Sequence, residues 1–153
     1  MARMMDQLEL AALHRKGSAD PAKRERRTFD FVVNGVSLFE ATEASASDMC
    51  GCISDPRFEP ELAGHMNVKS VNMLTSDVHM GVGHRAVLFG CPECGDFACG
   101  AITVFVSRDE NSVRWSDFAY ENGFEPQTHV TGLGPFAFDW AAYLAAFSRA
   151  QVA

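Results

Sequence analysis

A chain of 153 residues with 13 Lys/Arg and 20 Asp/Glu carries a formal net charge of −7. That length fits one domain whose folding buries about two-thirds of its accessible surface, and no run of about 18 apolar residues is present to span a membrane. Residues 1–27 hold seven Lys/Arg and four Asp/Glu, a net of +3, and residues 28–153 hold six and sixteen, a net of −10; the main body therefore repels phosphate backbones, which argues against direct nucleic-acid binding and for a basic protein partner.

In chain order, Met4, Met5, Leu8, Ala11 and Ala12 recur at nearly helical spacing until Gly17-Ser18-Ala19-Asp20-Pro21 breaks the pattern. With the basic run at Lys23 to Arg27, residues 1–26 are expected to form a basic appendage that docks as a helix, and 27–153 a single α+β domain. The first residues lack the apolar stretch and small-residue site of a secretory signal. Five cysteines, an odd number, are not a disulfide framework. A reducing, bacterial-type cytoplasm is the expected setting.

Phe29, Phe31 and Val33 alternate as a strand face does, and Asn34-Gly35 is a hairpin turn because both residues tolerate positive φ. Val36 to Phe39 is a short strand or the entry to a helix near 38–46. Residues 47–83 are hard to read; a helix or an irregular loop is expected within 60–75. Residues 85–89 and 101–106 read as strands, and 112–118 pairs back after a turn at 108–111. Residues 122–135 are rich in turn residues. Asp139 is an expected N-cap for a final helix whose Trp140, Tyr143, Leu144 and Phe147 form one apolar stripe. The fold class is α+β, an antiparallel sheet with the C-terminal helix and further helices packed on it.

The densest chemistry is Cys91-Pro92-Glu93-Cys94-Gly95-Asp96-Phe97-Ala98-Cys99-Gly100. Thiolates at C-x2-C suit two tetrahedral positions on one zinc ion, and Cys99 supplies a third. Cys50, Cys52, His79 or His84 would be the fourth ligand. The same C-P-x-C suits a redox dithiol, but a strand follows instead of a helix, and Asp96 disfavours thiolate. The plainest reading is a tight turn between strands in which unliganded cysteines pack as small apolar groups. Zinc is thus a candidate cofactor and none is required.

Among the histidines no H-x-x-x-H or H-E-x-x-H spacing occurs, although His79 and His84 could meet across the Gly81-Val82-Gly83 bend. Gly81-x-Gly83 lacks the third glycine of a dinucleotide fingerprint, and no G-x-S-x-G elbow is present. Trp115, Asp117 and Phe118 with Tyr120-Glu121-Asn122 suit a protein contact in which a ring anchors and a charge selects. The alternative sends Trp115 and Phe118 to opposite faces, one into the core and one under the final helix.

The pieces Cys91-Pro92-x-Cys94-Gly95-Asp96-x-x-Cys99-Gly100-Ala101, Trp115-Ser116-Asp117-Phe118 and Gly134-Pro135-Phe136-x-Phe138 resemble a family of short uncharacterised bacterial proteins. The likeness spans about 84–150, with Ala98 standing where that family has Gly. It implies a fold and no mechanism.

The expected function is that of a non-enzymatic acidic protein that binds a basic protein partner, as a toxin-neutralising immunity protein binds a toxin domain. Glu110, Asp117, Glu121 and Glu125 are the expected partner-facing charges, with the loops at Glu59 and Glu61 beside them. The alternatives are a small zinc metalloprotein using Cys91, Cys94 and Cys99, and a thiol oxidoreductase.

Overall fold

The structure is a computed structural model that describes residues 5–58, 70–92 and 99–151. Its first long element is not the helix that the spacing of residues 3–16 suggested. It is strand β1 (Leu8–Arg15), which pairs antiparallel with β4 (Arg26–Val33) from Leu8↔Val33 to Arg15↔Arg26. The apolar residues fit both periods, and pairing along all of β4 decides for the strand, because it satisfies backbone groups that a lone helix would pair only with itself. The ribbon ends in a two-stranded tip, β2 (Ser18–Ala19) with β3 (Ala22–Lys23).

Asn34 and Gly35 both take positive φ, 53° and 80°, and return the chain into β5 (Val36–Ser37). Helix α1 (Leu38–Ala41) follows, with the Ser37 side chain accepting from the Glu40 amide. After β6 (Cys50–Gly51), helical backbone covers 70–75 (α2), and a 3-10 turn spans Asp77–His79. The expected strands are then present as β7 (His84–Gly90), β8 (Ala101–Arg108) and β9 (Ser112–Glu121), with β7–β8 and β8–β9 both antiparallel. Short β10 (Thr128–His129) and β11 (Phe136–Asp139) pair with opposite ends of β9. Helix α3 (Trp140–Gln151) completes the α+β architecture, and the Asp139 carboxylate accepts from the Ala142 amide as the expected cap. No helix among the described residues is long and apolar enough to cross a membrane.

The larger sheet runs β10-β9-β8-β7-β6, with β11 also on β9, and the smaller runs β1-β4-β5. They meet at two seams. At one, the Phe29 amide donates to the Ile53 carbonyl (3.1 Å) and the Gly51 amide to the Thr28 hydroxyl (2.9 Å). A Cβ at Gly51 would overlap the Phe29 carbonyl oxygen, so glycine is what lets β6 lie against β4. At the other, the Asp6 amide donates to Ala137 O and the Ala137 amide to Asp6 Oδ2, both at 2.8 Å.

The strands thereby close a ring around aromatic side chains. Phe31 stands 5.7 Å from both Phe89 and Trp115, and Trp115 stands 5.3 Å from Phe138, all edge to face. Tyr143 brings α3 onto this core: its hydroxyl donates to Leu74 O (2.6 Å) and accepts from Trp115 Nε1 (3.2 Å). Burial pushes the Tyr143 phenol far above its ordinary pKa, so the group stays a neutral donor. Outside the ring, Arg108 stacks 3.6 Å over Trp140 and pairs with Asp77 at 2.6 Å, fixing the start of α3 to the β8–β9 hairpin.

Replacing Tyr143 by Phe keeps the ring and removes one hydroxyl, leaving Leu74 O and Trp115 Nε1 buried and unpaired. The expected loss is about 2 kcal/mol in urea unfolding, from unsatisfied buried polar groups. A loss below a few tenths would show that water or other groups take over both bonds.

Candidate functional site

The outer face of the large sheet is organised by an irregularity in β9. Thr103 pairs with Ala119 and Phe105 with Ser116, so Val104 alone faces both Asp117 and Phe118. Two residues against one is a bulge, and its first residue, Asp117, sits at φ 53°. That region suits glycine and is tolerated by Asp. The extra residue resets the alternation. Trp115 and Phe118, three apart, would face opposite ways in a regular strand; both are buried in the core. The recognition surface expected to include these two rings therefore does not include them, and neither does the reading that sends them to opposite faces hold.

Arg85 of β7 lies across the bulge. Its Nη2 donates to the Asp117 carbonyl (2.6 Å) and to Thr103 Oγ1 (3.0 Å), Nη1 to Asp117 Oδ2 (3.0 Å), and Nε to Glu121 Oε2 (3.2 Å). The Thr103 hydroxyl donates to Glu121 Oε2. From the far side, His129 Nδ1 donates to Asp117 Oδ1 and Gln127 Nε2 to Glu121 Oε1, both at 2.6 Å. Burial alone pushes the Asp117 carboxyl up, but the His129 hydrogen bond and the Arg85 and His129 charges outweigh it and hold the group below the ordinary carboxylate range. Glu121 balances in the same way: burial raises it, and the bonds from Gln127, Thr103 and Arg85 bring it below.

These contacts clamp both ends of the turn between β9 and β10. Asn122 Oδ1 accepts from the Phe124 amide (2.9 Å) and the Glu125 amide (3.0 Å), and its Nδ2 donates to Glu125 Oε2 (3.3 Å). The backbone so fixed holds out Phe124, 81% exposed and the most exposed large apolar side chain among the described residues. Phe124 was not among the residues singled out from sequence. The signal was there in Asn122-Gly123-Phe124-Glu125-Pro126, a phenylalanine set inside turn chemistry with no strand or helix to bury it.

Of the four expected partner-facing carboxylates, Asp117 and Glu121 meet on Arg85. Glu125 is in the adjacent turn. Glu110 is in the turn at the other end of the ten-residue β9, roughly 30 Å from Glu121 at strand rise. With a Debye length of about 8 Å, Glu110 does not share a field with the others. Glu59 and Glu61 lie outside the described residues.

The register Cys50↔Gly90 sets Cys50 beside Cys91, and Cys99 precedes β8 at the same end of the sheet. Cys94 lies outside the described residues, and among those described no three His, Cys, Asp or Glu side chains converge to hold a metal. Cys52 is partly buried against the core, and desolvation with the nearby Cys50 pushes its thiol up to about 12, which is unlike an activated nucleophile. The rings of His79 and His84 do meet across the bend, at 5.7 Å. His79 is buried and places Nε2 2.6 Å from Met73 O.

No family model matches the chain, and no curated protein or solved structure matches it. The motifs Trp115-x-Asp117-Phe118 and Gly134-Pro135-Phe136-x-Phe138 pack on each other, Trp115 against Phe138 and Phe118 against Phe136 at 5.9 Å. Their spacing follows from the β9–β11 pairing and the core.

Asp117 and Glu121 are both shifted downward. The stability they contribute is thus fully present above the unfolded carboxyl values near pH 4 and is lost as pH falls through the lower folded values. Arg85→Gln is expected to raise both carboxyl pKa values and to move acid unfolding to higher pH. Carboxyl carbon NMR titration reads this directly; unchanged values in the variant would remove Arg85 from the account.

Proposed function

We propose that this chain is a non-enzymatic protein-binding protein that engages a basic partner through the β9–β10 turn, with Phe124 as anchor and Glu125 as the flanking charge. The observation that carries the reading is the 81% exposure of Phe124 on a turn held by Asn122, Glu121 and Gln127. A ring presented on fixed backbone loses little entropy on docking, and aromatic anchors dominate protein interfaces. Glu125 stands beside it in the same turn, and with the net −10 of residues 28–153 a basic protein is the complementary partner. A toxin domain with a basic active site, masked by this surface, is the partner class that fits best. Asp117 and Glu121 act here as supports: their charge is shared with Arg85, and their work is to hold the turn.

The test places a photo-crosslinking phenylalanine analogue at position 124 in the native host, with Val36, exposed on β5, as the control position. One dominant basic protein is expected to cross-link from 124 and not from 36. With that partner purified, Phe124→Ala is expected to weaken binding tenfold or more, a loss of about 1.4 kcal/mol or greater. Glu125→Lys should slow association mainly at low salt. Equal cross-linking from both positions, or an unchanged Kd in Phe124→Ala, would contradict the assignment.

A further inference from the structure

We propose that His79 and His84 hold a borderline divalent metal ion of the zinc class, with water in its remaining positions. His79 ends the 3-10 turn, and His84 opens β7. Between them Gly81 and Gly83 take positive φ, 77° and 84°. The chain folds back there, and the two rings stand 5.7 Å apart, tilted by 60°. The pair is separate from the cysteines. Along the seven-residue β7, His84 lies roughly 23 Å from Cys91 at strand rise, so neither histidine is the fourth ligand of a set built on Cys91.

One nitrogen carries the inference. His79 is 1% exposed, and its Nε2 lies 2.6 Å from Met73 O. A carbonyl only accepts, so the ring hydrogen is on Nε2. In the neutral ring Nδ1 then holds a lone pair, and among the described residues it is the one buried side-chain nitrogen or oxygen with no hydrogen-bond partner. Buried polar atoms are otherwise paired, and a bound ion satisfies a lone pair without supplying a hydrogen. A ring N–H held by a backbone carbonyl is also how metal-ligating histidines are oriented and made more basic. The spacing agrees. With Zn–N at about 2.0–2.1 Å and each centroid roughly 1.1 Å behind its nitrogen, two imidazoles on one ion stand about 5.2–5.5 Å apart. The observed 5.7 Å needs only a small turn of His84, which is exposed and gives the ion its way in. Imidazole nitrogens suit zinc, nickel or copper, whereas calcium and magnesium take oxygen ligands.

The experiment titrates isotope-labelled, metal-free protein with zinc chloride and reads the imidazole nitrogens by long-range proton–nitrogen NMR. Before zinc is added, His79 Nδ1 is expected to be unprotonated. Zinc is expected to shift it saturably, and magnesium to leave it in place. His84→Ala, an exposed change, should retain the folded spectrum and weaken zinc at His79 at least tenfold. Cys99→Ser, also exposed, should disturb any zinc held by thiols and leave the His79 titration unchanged. A hydrogen on Nδ1 in the metal-free protein, zinc shifts confined to the cysteines, a His79 titration that follows Cys99→Ser, or one unaffected by His84→Ala would each overturn the proposal.

Discussion

The contact between Arg85 and the bulged residue Asp117 governs most of what distinguishes this structure. Asp117 at φ 53° adds one residue to β9 between Ser116 and Ala119. That addition alone lets Trp115 and Phe118 share the core face. A left-handed conformation at a non-glycine residue costs about 1–2 kcal/mol, and it persists here because Arg85 binds both the carbonyl and the carboxylate of the same residue. The bulge also aims the end of β9 outward, where His129 and Gln127 tie down β10 and the intervening turn. One irregular residue thus connects the core, through Trp115, to the exposed Phe124. A second bulge acts similarly in β7, where Val87 pairs with Thr103 and Phe89 with Ile102, so that Leu88 and Phe89 are both buried.

Much of this architecture was legible in the sequence, for reasons that are local. Asn34-Gly35, the polar turn at 108–111 and the Asp139 cap each declare a chain reversal or a helix start by their own chemistry, and the strands 84–90, 101–108 and 112–121 follow from alternation between such signals. β1 was misread because Met4, Met5, Leu8, Ala11 and Ala12 satisfy helical spacing by chance, while the pairing partners that decide the matter lie eleven to twenty-five residues further along at Arg26–Val33. The short strands β10 and β11 carry no periodicity of their own and exist through β9. The bulge was hidden because Asp, unlike Gly, gives no sign of positive φ.

The candidate site illustrates the difference between counting charges and locating them. Sequence groups Glu110, Asp117, Glu121 and Glu125 as one acidic stretch. In the fold, Asp117 and Glu121 hold Arg85, Glu110 lies a full strand away, and Glu125 stands beside Phe124. Trp115 and Phe118 are buried, and the most exposed ring among the described residues is Phe124, inside the turn that follows β9. Cys50, Cys91 and Cys99 lie toward the same end of the large sheet as this turn, because Ala101 pairs with Glu121 and Cys50 with Gly90.

The most direct measurement of the central claim compares two substitutions that remove the same side-chain bonds. Asp117→Gly and Asp117→Ala both lose the carboxylate contacts to Arg85 and His129, and they differ in the backbone they prefer. At φ 53° glycine is unstrained and alanine is not, so urea unfolding is expected to find Asp117→Gly more stable than Asp117→Ala by about 1 kcal/mol. In a regular strand the order reverses, with alanine favoured by roughly 0.5–1 kcal/mol. Finding Asp117→Ala the more stable of the two would contradict the bulge and, with it, the placement of Trp115, Phe118 and Phe124 that rests on it.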